Sequence, residues 1–144
     1  KERIDYVLET DQTLDKASRD YLTVLSNYFS EYEKFQESFS ELNKKLYSNF
    51  NLSTSSEWND ELNVLFAQMK EINGKMYDEN PSSYMKVFHE FIQSGLKELN
   101  FFMNTYPTAI TELDEEQLDK SIQSFKNSQF IFDRTIIELE ERER

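Results

Sequence analysis

A single histidine, no cysteine and an abundance of carboxylates and tyrosines are the chemistry on offer in this 144-residue chain. The histidine is His89, in HEFIQ over residues 89–93. A zinc-peptidase helix needs its second imidazole one turn further on the same face, and Gln93 holds that place. A di-iron bundle site needs a Glu-x-x-His motif from each of two helices, but here Lys86 stands three residues before the only histidine. DENPSSYMKVFH opens like a calcium loop with Asp78 and Asn80. Ser83 stands where that loop's sharp turn requires glycine, however, and His89 where a bidentate glutamate closes the shell. Two glycines cannot build a phosphate-cradling loop. No catalytic, cofactor-binding or metal-ligating residue is therefore assigned, and a non-enzymatic role is expected. His89 falls off the apolar stripe of its helix and is expected on the solvated surface.

Two further groups of polar residues have a chemical reading and a structural one. ELDEEQLD brings Glu112, Asp114, Glu115, Glu116 and Asp119 together: the chemical reading is a weak divalent-cation site or a contact for a basic partner, the structural one a helix start whose N-terminal dipole the negative charge complements. In YLTVLSNYFSEYEKFQESF, residues 21–39, Tyr21, Tyr28 and Tyr32 could surround a partly polar interior pocket for a small ligand. The structural reading makes them core rings whose hydroxyls find a partner at the rim.

Charge narrows the partners. With 28 acidic and 16 basic side chains the net charge is −12, and no Lys/Arg stripe is present to displace counterions from a phosphate backbone. Nucleic acid is not expected as a partner. No apolar run approaches the length of a membrane span, so membrane insertion by this segment is not expected either. Aromatic residues at 15% argue against disorder despite the charge. The absence of cysteine excludes disulfides and thiolate metal sites and says little about compartment; a start at Lys1 rather than Met fits the mature part of an exported or surface-anchored bacterial protein, such as a lipoprotein, with a cytoplasmic location as the alternative.

The elements that must position these residues are written in heptads. Leu14, Tyr21, Tyr28, Phe35 and Leu42 recur every seven residues, and Ser18, Leu25, Tyr32, Phe39 and Leu46 form a second series offset by four. Ile4, Val7 and Asp11 carry the phase backwards, which predicts a first helix over 3–50, with Thr10 or Thr13 as caps for a later start. Leu22, Phe29 and Tyr47 widen its stripe. A capping box of Thr54 and Glu57, with Ser55 and Ser56 competing, opens a second helix over 56–78 whose seam is Trp58, Leu62, Leu65, Met69, Ile72 and Met76. A third helix is predicted over 81–106, with Asn80 as cap and Pro81 in its first turn. It carries Tyr84, Phe88, Phe91, Ile92, Gly95, Leu99, Phe102 and Tyr106, and Pro107 is expected to stop it. Asp114 caps a fourth, over 114–143, with Leu113 and Leu118 spaced as a staple and a seam of Leu118, Ile122, Phe125, Gln129, Phe132, Ile136 and Leu139. Glu138 with Arg142 and Glu140 with Arg144 support its end.

Four amphipathic helices with short links predict an all-α, antiparallel up-down-up-down four-helix bundle with a long first helix, as one domain over 1–144. Helix one, at roughly 55 to 70 Å, overshoots helix two at about 33 Å. The surplus must project, break near TDQT, or be covered by a second molecule. Phe130, Ile137, Phe101 and Ile131 lie off their stripes and mark an interaction patch. The function expected is a helical protein-interaction module. The alternatives are a self-associating adaptor, which would lose its oligomer on replacing Phe130 and Ile137 by Ser, and a small-ligand binder using the tyrosines.

Overall fold

The 3.5-residue phase of the tyrosine-rich segment is realised as one 33-residue helix in the computed structural model, which describes residues 1–142. The described residues contain five α-helices: α1 Glu2–Thr10, α2 Lys16–Ser48, α3 Ser56–Tyr77, α4 Lys86–Glu112 and α5 Glu115–Arg142. Helices α2 to α5 pack antiparallel as an all-α bundle. The predicted first helix is two helices. Asp15 ends the continuity by accepting a hydrogen bond from the Ser18 amide at 2.7 Å, so it caps α2 where Thr10 or Thr13 was expected to. Asp11 accepts from the amide and hydroxyl of Thr13, at 2.8 and 2.6 Å. The chain reverses here, and α1 runs back along α2. Ile4 and Val7 are buried, Asp5 accepts from Ser26, and Arg3 reaches Glu140 on α5 at 3.1 Å. The surplus length is thus covered by the chain itself.

Both heptad series of α2 point inward from Ser18 to Leu46, joined by Leu22 and Phe29, while Tyr47, in the last turn, is 75% exposed instead of widening the stripe. Ser55 caps α3. The buried face of α3 is Trp58, Leu62, Phe66, Met69, Asn73 and Met76, with Leu65 and Ile72 only half-buried. A straight helix drifts against a strict heptad, and here the drift brings Phe66 and Asn73 inward. The Trp58 indole N–H donates to the Leu42 carbonyl at 3.0 Å, fixing α3 on α2.

Helix α4 begins later than predicted. The Ser82 hydroxyl, bonded to Ser18 at 2.8 Å, accepts from the Met85 amide and caps a 3-10 turn over Ser83–Met85, leaving Asn80 and Pro81 in the link before it. Pro107 does not stop α4, which continues to Glu112. A proline fits helical φ and removes one N–H bond; burial of Ala109 and Ile110 one turn on offsets that loss. The helix ends at Leu113, in the left-handed region at φ 55°, with the Asp114 amide donating back to the Ala109 carbonyl at 2.9 Å. Leu113 is 63% exposed, so it forms no staple with Leu118. Since a Cβ is unfavourable at this φ and little packing is at stake, Leu113→Gly is expected to stabilise the protein by about 1 kcal/mol, a rise of roughly 3 °C in Tm by calorimetry. A lower Tm would contradict this reading of the cap.

Asp114 caps α5 as expected, accepting from the Gln117 amide at 3.2 Å. The inward face of α5 differs from its predicted seam: Ser121, Ser124, Ser128 and Thr135 are buried beside Phe132, Ile136 and Leu139, whereas Leu118, Ile122, Phe125 and Gln129 are half-buried. The hydroxyls of Ser121, Ser128 and Thr135 donate to carbonyls of their own helix at 2.7–2.8 Å, which lets these polar residues line a close helix contact. Gly95 on α4 belongs to the same contact. A Cβ there would lie 2.4 Å from the Phe132 ring, which accounts for the phase slip at this position. Glu138 pairs with Arg134 at 2.8 Å rather than with Arg142, and the expected Glu140–Arg144 pair falls outside the described residues.

Candidate functional site: an apolar groove between the last two helices

The interior accounts for most of the polar residues singled out above. His89 is buried, 4% exposed, in correction of the surface position expected for it. Its Nε2 faces the Tyr77 carbonyl at 3.1 Å, which can only accept, so the neutral ring carries its proton there. Nδ1 is then free to accept from the Tyr21 hydroxyl at 2.9 Å. The buried face of α4 is broader than one heptad seam and takes in His89. Tyr28 donates to Asn73 at 2.7 Å, and Asn73 donates to Asn100 at 2.9 Å. Tyr32 meets the Ser128 hydroxyl at 3.4 Å.

Tyr21, Tyr28 and Tyr32 therefore do not converge on one space. Tyr21 packs edge-on against His89, while Tyr28 stacks on Tyr32 and both meet Phe132. Among the described residues no buried side-chain polar atom lacks a partner. The groups that would hold a ligand already hold one another. Burial raises the phenol pKa of all three, and of Tyr106, well above the ordinary value. Among the described residues no group of three His, Cys, Asp or Glu is placed to hold a metal ion, and no helix is long and apolar enough to cross a membrane.

Outside, the N-terminal half of α4 and the C-terminal half of α5 enclose a groove of about 730 Å³. Val87, Phe88 and Phe91 line it from α4, and Phe130, Ile131 and Thr135 from α5. Phe130 is 70% exposed, Val87 and Phe91 each 51%. Charged side chains rim it, and several are engaged: Arg134 by Glu138, and Arg142 over the rings of Tyr84 and Phe88 at 5.7 and 5.5 Å.

The predicted patch is only partly brought together here. Phe130 and Ile131 share the groove. Ile137 lines a separate depression with Lys1, Glu2, Arg3, Glu33 and Asp133. Phe101, 44% exposed, lies ten residues beyond Phe91 along α4, about 15 Å by helical rise. Phe91 and Tyr84 were expected in the buried stripe and are exposed. In sequence, one valine one turn before a phenylalanine of the apolar stripe reads as ordinary surface; the i,i+4 pairing of Val87 with Phe91 is the signal that marks it.

No protein-family model, curated protein or solved structure matches the chain. The class it belongs to is set by its own architecture: an all-α antiparallel helical bundle, closed inside and carrying an open apolar groove on its α4–α5 face.

Proposed function

We propose that this protein is a non-enzymatic helical interaction module whose α4–α5 groove receives an amphipathic segment of a protein partner, apolar on one side and basic on its flanks. The observation that carries the proposal is the convergence of Val87, Phe91 and Phe130, each at least half exposed, with Ile131 on one concave surface. Apolar side chains scattered singly over a surface mean little; gathered in a charged-rimmed groove they mark a contact for another molecule. Charge selects the occupant. The chain carries −12, and the two arginines at the rim are already engaged, so the surrounding field draws in a cationic segment and repels an acidic one.

A synthetic amphipathic helix of Leu and Lys, followed by fluorescence anisotropy, provides the test. Binding in the micromolar range is expected, weakened about tenfold or more in Phe91→Ser/Phe130→Ser, a variant that keeps every charge. A Leu/Glu helix should not bind. Equal affinity of wild type and variant for the Lys peptide would reduce the interaction to charge alone and overturn the proposal. A concentration-dependent dimer that is lost in the variant would assign the groove to self-association instead.

A further inference from the structure

The reversal between α1 and α2 has an unusual sequence. Inward positions run Ile4, Val7, Asp11, Leu14, Ser18, Tyr21, alternating steps of three and four straight through the break, and four of these six are buried while Asp11 and Leu14 are half-buried. Residues 11–15, DQTLD, neither interrupt the phase nor carry the Gly or Pro that would fix a turn in the backbone itself. What holds the break is side-chain capping: Asp11 on Thr13, Asp15 on Ser18, and Arg19 on the carbonyls of Leu8 and Asp11 at the end of α1. In an uninterrupted helix those two carbonyls would instead take the amides of residues 12 and 15.

We infer that residues 11–15 are a hinge, and that α1 and α2 can straighten into one helix over 2–48, roughly 70 Å long, which places α1 against α2 and α5 of a second copy of this chain. In the closed form α1 is antiparallel to α2, since Asp5 meets Ser26 and Leu8 meets Arg19. The second copy offers the same surface, so Ile4 and Val7 are buried and Arg3 meets Glu140 in either arrangement. Only the hinge differs, and exchange of an identical element is the least costly route to a symmetric dimer. The inference stands apart from the groove, because the exchanged helix does not touch it.

A chain without cysteine makes the test clean. Asp5→Cys/Ser26→Cys places a thiol pair across the α1–α2 contact; oxidation links α1 to its own chain in the closed monomer and to the other chain in an exchanged dimer. Wild type refolded at high concentration is expected to yield a dimer fraction by light scattering, and the oxidised thiol variant a covalent dimer on a non-reducing gel. Asp11→Ala/Asp15→Ala, which removes the caps and favours helix, should raise the dimer fraction about tenfold. Gln12→Pro should abolish it, because Asp11 already has the extended backbone preferred before proline and a straight helix could not pass that position. Dimers that cross-link only within chains would overturn the inference, as would the absence of any dimer from both wild type and the alanine pair.

Discussion

Titration above about pH 11 is expected to unfold the protein in one steep step, with tyrosinate absorbance and loss of helical circular dichroism rising together. Tyr21, Tyr28, Tyr32 and Tyr106 are each at most 5% exposed, and burial is the main cause of the upward shift of all four phenols; the nearby charge of Glu79 adds to it at Tyr21. The direction follows from linkage. Below about pH 10 neither the folded nor the unfolded chain ionises these groups, so their contribution to stability is complete. Above it the unfolded chain releases four protons that the folded chain retains, and stability falls by about 1.4 kcal/mol per pH unit for each phenol, about 5.6 kcal/mol per pH unit for the four together. A bundle of this size has roughly 7 to 20 kcal/mol to lose. Full ionisation of all eight tyrosines with the helical signal intact would show that these hydroxyls are not held inside as described.

Phe102→Ala is expected to cost about 3–5 kcal/mol, read as a fall in the urea midpoint with an unchanged slope. The Phe102 ring is fully buried and meets Phe39, Phe66, Tyr106 and Phe125, the last stacked at a centroid distance of 4.5 Å. Rings on four sides cannot close over the space it leaves. Its neighbour supplies the control: Phe101, 44% exposed, should cost less than about 0.5 kcal/mol on the same substitution. Similar losses at the two positions would mean that the face of α4 has been assigned incorrectly.

The architecture was legible because α2 repeats one signal for its whole length: large apolar residues at 3.5 spacing leave little choice of buried face. Its N-terminal limit was not legible, since Ile4, Val7, Asp11 and Leu14 keep the same phase across a reversal that Asp15 makes locally. Pro107 illustrates a tertiary override: a strong stop signal yields when the next turn carries Ala109 and Ile110 into the core. The α5 seam was misplaced for the opposite reason. Ser121, Ser128 and Thr135 look polar in sequence, yet hydroxyls satisfied by their own helix bury readily where a partner backbone comes close. That rotation of α5 is also what leaves Phe130 and Ile131 on the groove. His89 followed the same pattern, a polar residue whose partners, Tyr21 and the Tyr77 carbonyl, come from distant parts of the chain.

Half of the groove could thus be found from sequence, through off-stripe residues on α5. The other half could not: Phe91 fits the apolar stripe of α4, and only the pairing of two helices decides which turns of a stripe are covered.

The measurement that bears most directly on the groove is a chemical-shift map of the labelled protein titrated with the Leu/Lys helix. Shifts concentrated at Val87, Phe91, Phe130 and Ile131, saturating together, are the expected result. Shifts centred on Tyr21, Tyr28 and Tyr32, or spread evenly over the acidic surface, would contradict a docking site between α4 and α5.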